Sequence, residues 1–404
     1  MPDLTALNSP DRFTIILYEK MKAISLGIDD LELYEFQYAL DNVVPENGGW
    51  SSVEIPQKEE IEALVNSGDF YFRIQLKPRA GDRIVLDEKI IWLTRVLFVG
   101  LVIGDYSEKW ILKHFYFDIR GFYFLHRTMY FSDPVLAHFM GVPLIRFEQK
   151  QKCFERFQDI GYKAFKEANA AVDQAFIDMV LKLISIKGTP LLLAIAGPTA
   201  AGKTEIVSRL RSALEQVNEK VTSIEMDNFL TDRDYREAKG IHTLGKEAIH
   251  FELFRHSLEQ ICQGHKISIP RYDFVFATSS HDLDGNLKAG GVPLQIEPAD
   301  IIFIEGNFPF LLKEVASLIG VKVVYLTDDP VRLKRKWKRD IDYRKKYEPT
   351  YFRNRFFKDQ FLMAQKCYRP QMEVCDILVD TTVAAIWAVP EIITIINGEG
   401  AIER

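Results

Sequence analysis

The spacing of apolar positions changes character along the chain. Up to about residue 150 the apolar residues are aromatic-rich and irregularly spaced. Three segments there read as strands: residues 69–76 (DFYFRIQL), residues 89–104, and residues 113–124 (KHFYFDIRGFYF), the last turning at Gly121. From Cys153 to Ile186 the period lengthens, with apolar residues at Phe154, Phe157, Phe165, Ala168, Val172, Phe176, Met179 and Leu183. Spacing of three to four predicts one long amphipathic helix, with Gly161 as its point of bending. Its apolar stripe needs a partner surface, either another domain or a second subunit. The stop signals of Lys187-Gly188-Thr189-Pro190 follow, and a domain boundary is expected there.

Beyond that boundary short, continuous apolar runs alternate with helical stretches. Residues 191–196 (LLLAIA), 220–226, 300–304, 321–326 and 376–380 read as strands buried on both faces. Residues 204–217, 246–263 and 330–345 read as helices between them. Strands alternating with helices predict a parallel sheet with helices on both faces. The expected organisation is an N-terminal mixed α/β or α+β domain (1–150), a long linking helix (151–188) and an α/β domain (189–404). From about residue 384 the pattern predicts nothing.

At 404 residues the chain is long enough for two or three domains. With 47% hydrophobic and 27% charged residues it has an ordinary globular balance. A net charge of −6 argues against coating nucleic acid through an overall field. Cys153, Cys262, Cys367 and Cys375 form no C-x-x-C pair, so neither a disulfide scaffold nor a zinc ribbon is expected. His114, His126 and His138 have no metal-ligand spacing and read as core or surface histidines, although His126-Arg127 beside the Tyr130–Pro134 turn offers a small site. The apolar stretch of residues 90–104 is too short, and interrupted by Arg95, to span a bilayer. The first residues lack the basic-then-apolar pattern of a secretory signal, so a cytoplasmic protein without membrane or nucleic-acid partners is expected.

Directly after the first buried strand stands Gly197-Pro198-Thr199-Ala200-Ala201-Gly202-Lys203-Thr204, which fits G-x-x-x-x-G-K-[ST]. The glycines let the backbone turn so that successive N–H groups point at phosphate oxygens, and the next helix adds its positive end. Lys203 is expected on the β- and γ-phosphates, and the Thr204 hydroxyl on Mg2+. No N-K-x-D base-reading sequence supports a GTPase.

Downstream residues carry the rest of the chemistry. Asp227 follows the second strand, where a carboxylate faces the ligand in a parallel sheet. It reads equally as a base taking a hydroxyl proton or as a turn aspartate. Glu305 ends the strand of residues 301–304 and is expected to hold Mg2+ directly or through water. In the basic stretch of residues 332–346, Arg332, Arg335 and Arg339 fall on one helical face with Lys336 beside them. Cations there would neutralise a transferring phosphoryl group.

In these motifs residues 190–382 resemble the phosphoribulokinase/uridine kinase family of P-loop kinases. Besides the loop, Asp227-Asn228-Phe229 stands where the family has D-x-F-Y. Residues 269–274 (IPRYDF) stand at its P-x-Y-D-F, Glu305-Gly306 at its E-G, and residues 332–340 at its lid helix. The resemblance implies ATP and Mg2+ as cofactors, a small-molecule hydroxyl acceptor, and Asp227 as base. It implies Arg339 and Arg344 as lid groups on the phosphates, and Tyr272 and Asp273 lining the acceptor pocket; Arg335 is expected to close over the transferring group with them.

The departures concern the acceptor. Where the family has a histidine and an arginine after Y-D-F, this chain has Ala277 and Ser279. Residues 244–250 (LGKEAIH) replace its ribose-binding D-H-P-x-A-x-D, and the aspartate that would hold the ribose hydroxyls is lost. Phosphoryl transfer survives these changes, while uridine and cytidine lose their specific partners. His242, Glu247 and Lys336 read either as contacts to a different acceptor or as surface groups. A nucleoside kinase, a nucleotide-binding regulator and an isopentenyltransferase stand as alternatives, the last because G-P-T-A-x-G-K-T also suits those enzymes. The expected protein is an ATP-dependent kinase acting on a sugar, polyol, hydroxy acid or nucleoside, with a homo-oligomer as an open option.

Overall fold

The computed structural model describes residues 4–66, 87–119, 121–147, 169–241, 245–329 and 363–398. It also describes residues 70, 77, 78, 84, 85, 331, 332, 335, 336 and 339. These residues fall into two compact units, one up to Met129 and one from Tyr130 onward.

The first unit is mainly helical. Its helices are α1 (Pro10–Ile24), α2 (Leu33–Leu40), α3 (Lys58–Asn66), α4 (Glu88–Ile103) and α5 (Glu108–His114). Residues 89–104 are thus helical, not the strand that their apolar run suggests. The run is too long for a typical strand, Asp87 caps its start by accepting from the Lys89 N–H, and Gly104 ends it at φ 92°. Nearly every face of α4 is buried, which hides the helical period. The expected strand at 113–124 is a hairpin of β1 (Phe115–Asp118) and β2 (Tyr123–His126), preceded by the end of α5. Gly121 is required in its turn, because a Cβ there would lie 2.0 Å from the Tyr123 ring. The core is aromatic: the Phe98 ring meets Trp50, Phe117, Phe122 and Phe124 at centroid distances of 5.5–6.4 Å. Of the expected strand 69–76, all but Phe70 lies outside the described residues.

The second unit opens with α6 (Asp133–His138), β3 (Ile145–Arg146) and α7 (Ala170–Lys187). The packing therefore divides near residue 130 rather than 150. Val135 and Phe139 are buried in the second core, and the Phe131 ring lies 4.9 Å from that of Trp387, tilted by 45°. Residues 151–168 of the expected long helix lie outside the described residues. Then come β4 (Leu191–Ala196), α8 (Lys203–Gln216), β5 (Val221–Glu225), α9 (Arg233–Ala238) and α10 (Phe251–Cys262). The short strands β6 (Ile267–Ile269), β7 (Tyr272–Asp273), β8 (Thr278–Ser279) and β9 (Leu294–Ile296) follow. The chain then forms β10 (Ile301–Gly306), α11 (Lys313–Ala316), β11 (Val321–Leu326), α12 (Arg369–Met372) and β12 (Ile377–Asp380). It closes with β13 (Ala385–Ala388) and α13 (Pro390–Asn397).

Seven strands make one sheet in the order β3-β13-β12-β11-β4-β10-β5. The five from β12 to β5 are parallel, as the buried apolar runs imply. β13 and β3 add an antiparallel edge that the sequence pattern misses. Every residue of β4 and β10 is buried. The sheet order reverses around β4, so the loop after β4 opens at a switch point, where ligands bind in such sheets.

Candidate active site

The loop between β4 and α8 has the backbone that phosphate binding needs. Gly197, Ala200 and Gly202 all have positive φ, at 153°, 62° and 107°. A Cβ on Gly197 would lie 2.2 Å from the Tyr325 carbonyl oxygen, so only glycine fits. The Lys203 ammonium donates to the carbonyl oxygens of Gly197 at 2.8 Å and Pro198 at 3.0 Å. Burial lowers its pKa to about 8, against the pull of Asp227 and Glu305.

Thr204 Oγ1 donates to Glu305 Oε1 at 3.0 Å, which brings together the two residues expected at Mg2+. Burial raises the Glu305 pKa to about 7, with the Lys203 charge opposing and Glu225 adding to the rise. Its other oxygen, Oε2, is buried and has no hydrogen-bond partner among the described residues. An orphaned carboxylate oxygen beside a hydroxyl is a fitting donor set for a hard cation. Among the described residues no three His, Cys, Asp or Glu side chains gather as a metal cage. A cation here would complete its shell with water and phosphate oxygens, as Mg2+ commonly does.

Asp227 lies in the 3-10 turn Met226–Phe229 after β5. Asn307 holds it: its amide donates to Asp227 Oδ1 at 3.4 Å. Asn307 is itself fixed by Tyr368 Oη, which donates to its Oδ1 at 3.3 Å, and by Gln371, which donates to its carbonyl at 3.0 Å. Sequence reasoning missed Asn307. Its only signal was its place directly after Glu305-Gly306 at a strand end.

The arginines expected over the phosphates touch the loop itself. Residues 331, 332, 335, 336 and 339 are helical. Arg335 donates to the Ala201 carbonyl at 3.1 Å, and Arg339 to Thr199 Oγ1 at 3.3 Å. Arg332 is fully buried and donates to the Thr199 carbonyl at 3.2 Å and to Tyr130 Oη at 3.1 Å. The loop is thus braced from outside by guanidinium groups on its carbonyl side. Behind it Asp173, on α7, accepts from Tyr325 Oη and pairs with Arg209. Lys336 is half-buried on the same helical segment. Arg344 and His242 lie outside the described residues.

The acceptor end gathers three segments. Residues 229–231 run beside 248–250, with the His250 N–H donating to the Phe229 carbonyl at 2.8 Å and the Thr231 N–H to the Ala248 carbonyl at 3.0 Å. The Tyr272 N–H donates to Asn228 Oδ1 at 3.2 Å, which ties β7 to the residue after Asp227. Arg236 donates to Tyr272 Oη at 2.9 Å. Asp273 is exposed, and its Oδ1 accepts from the Val275 and Phe276 N–H groups, so the carboxylate closes its own turn. The departures noted in the sequence meet here: His250 Nε2 lies 3.2 Å from Ser279 Oγ, and Ser279 pairs with Tyr272 across β7 and β8. Burial lowers the pKa of both His250 and His281, the latter with Asp282 opposing. Glu247 is exposed.

Residues 192–385 match the model of the phosphoribulokinase / uridine kinase family. A stretch of 152 residues is 29% identical to a uridine kinase of Halobacterium salinarum, covering 37% of this chain and 62% of that one. Another, of 158 residues, is 29% identical to uridine kinase-like protein 4 of Arabidopsis thaliana, covering 38% and 31%. A possible uridine kinase from Bacillus stearothermophilus aligns with TM-score 0.31 at 24% identity, over 43% of this chain and 92% of that one. The match thus spans less than two thirds of the length of either curated relative. Residues 192–385 thus resemble the P-loop kinases of the phosphoribulokinase/uridine kinase family, and the residues before them lie outside that match.

Proposed function

We propose that this protein moves the γ-phosphoryl group of ATP to a hydroxyl of a small metabolite. One observation carries the reading. Lys203 lies on the loop carbonyls, the adjacent Thr204 donates to Glu305 at 3.0 Å, and Asp227 follows the strand that pairs with the Glu305 strand. A base, a cation-binding carboxylate and a phosphate-binding lysine therefore share one place.

The roles follow from that arrangement. The loop N–H groups and Lys203 bind the β- and γ-phosphates. Mg2+, held by Thr204 and Glu305, supplies charge neutralisation across those phosphates when bound. Asp227 accepts the proton of the acceptor hydroxyl as its oxygen bonds to the γ-phosphorus, and the bond to the β-phosphate oxygen breaks to leave ADP. Asn307 keeps the Asp227 carboxylate aimed. Arg335 and Arg339 hold the loop in shape, and Arg344 is proposed to meet the transferring group. The names of the relatives favour a nucleoside acceptor. Ala277 and Ser279 speak against it, because they stand near the places of the resembled family's base-reading histidine and of the arginine after it, and residues 244–250 lack the aspartate that would hold a ribose.

The test is phosphoryl transfer from γ-labelled ATP with Mg2+ to pooled nucleosides, sugars, polyols and hydroxy acids. The Asp227→Asn protein is the control. Labelled product in one pool, absent with the control, is the expected result. No product in any pool with ATP binding intact would favour a nucleotide-binding regulator instead.

A further inference from the structure

The short helix α9 carries two arginines three residues apart, Arg233 and Arg236, hence on one face. Arg236 is only 8% exposed. Its one side-chain hydrogen bond among the described residues goes to Tyr272 Oη, and its guanidinium packs 5.7 Å from the Tyr272 ring centroid. Arg233 has a buried Nε with no partner among the described residues. A guanidinium has five N–H donors, and burying it without a carboxylate is costly.

Nearby acids do not supply that partner. Asp232, just before α9, is taken by Lys288, which donates to Oδ2 at 2.7 Å, and by the Ser279 N–H at 2.7 Å. Asp273 is taken by the amides of its own turn. Asp234 and Glu237 on α9 are exposed, and neither forms an ion pair with Arg233 or Arg236 among the described residues. Asp282 accepts from the Asp284 and Asn286 N–H groups. The two arginines stand beside these segments, Arg236 with one side-chain hydrogen bond and Arg233 with an unpartnered Nε among the described residues. Tyr272, which Arg236 contacts, is bonded through its N–H to the residue next to Asp227.

We infer that Arg233 and Arg236 anchor an anionic group of the acceptor, a carboxylate or a phosphate monoester. The inference rests on the kinase reading and narrows it: the hydroxyl compound phosphorylated here is itself an anion. Guanidinium groups suit both anions, since they bind planar or tetrahedral oxygens through paired N–H donors. The neutral nucleosides, sugars and polyols are thereby disfavoured.

The experiment measures binding, so it does not depend on turnover. Purified full-length protein, loaded with Mg2+ and a non-hydrolysable ATP analogue, is titrated calorimetrically with three sets of probes. Glycerate and gluconate carry a carboxylate, glycerol 3-phosphate and ribose 5-phosphate a phosphate, and glycerol and ribose neither. One anionic set is expected to bind at least about tenfold more tightly than its neutral counterpart. Which set it is identifies the anion. Arg236→Ala should weaken that binding about 10- to 100-fold, the range for a lost charged hydrogen bond, with nucleotide affinity unchanged. Arg236→Lys should restore part of it. Should Arg236→Ala not fold, Arg233→Ala and Tyr272→Phe are read instead, each with a smaller loss in the same direction.

Equal or tighter binding of the neutral probes would overturn the inference. So would failure of both anionic sets to bind, or anion affinity untouched in all three substitutions. Phosphoryl transfer to a neutral acceptor alone would leave the kinase reading standing and sink this one. Anion binding without transfer to any acceptor would do the reverse.

Discussion

The phosphate end and the acceptor end of the second unit are built by opposite means. At the phosphate end a single run of eight residues, between one strand and one helix, supplies the site from its own backbone. The side chains around it mostly serve the loop: Lys203 and Arg335 donate to its carbonyls, and Arg339 to its threonine. At the acceptor end three segments, 227–236, 248–250 and 272–281, meet through side chains. Backbone recognition tolerates no glycine change. Side-chain recognition can be exchanged residue by residue while the sheet stays as it is. Such a division would let one half of a site keep its chemistry while the other takes a different substrate.

The largest expected effects break the phosphate end. Asp227→Asn should lower the transfer rate about 10²- to 10⁴-fold, the span of general-base catalysis, while ATP affinity in equilibrium dialysis stays near wild type. Lys203→Ala should weaken both, and unchanged nucleotide affinity would refute the loop assignment. Gly197→Ala comes next. The strained φ and the Tyr325 carbonyl should cost on the order of 2–4 kcal/mol in denaturant unfolding, with nucleotide binding lost as well.

Smaller effects sharpen the contrast. Asn307→Ala should reduce kcat about tenfold with KM for ATP unchanged, because it disturbs only the aim of the base. An equal rise in KM for ATP would show that Asn307 serves the nucleotide instead. The smallest effect concerns His250. Its folded pKa lies below the free-imidazole value of 6.5, so the unfolded chain binds more protons once the pH falls past that value. Stability is therefore full above about 6.5 and falls as the solution is acidified. His250→Gln should flatten that fall between pH 7 and pH 5, read as a smaller drop in Tm over that range than in the wild type. His281, depressed by the same burial, should keep part of the acid sensitivity in place.

Much of the phosphate end was legible because its chemistry is local in the chain. Residues 191–196 and 321–326 appear as strands at the positions that their apolar runs mark, and the loop stands between strand and helix as the motif requires. The acceptor end was less legible. Arg236 becomes notable only when its burial and its lack of an ion pair among the described residues are known, and neither is a pattern in sequence. Asn307 likewise needed the Tyr368 and Gln371 contacts, about sixty residues away along the chain, to be seen as a support for Asp227. In the first unit the run at 89–104 misled because a helix buried on nearly every side has no polar face to mark its period. The edge strand β13 was missed because four apolar residues carry little signal on their own.

That edge also bears on how the protein can be divided. Ile145 and Arg146 pair with Ile386 and Ala385, and the Phe147 N–H donates to the Ala384 carbonyl at 2.8 Å. A fragment begun at residue 151 would strip this cover from β13, whose four residues are all buried, and leave an open apolar flank. Such a flank invites other chains to pair with it, so the fragment should precipitate where one begun at residue 130 stays dispersed. A cut at residue 151 would thus make aggregates out of an otherwise sound unit, and the short strand ahead of it acts as that unit's own gatekeeper.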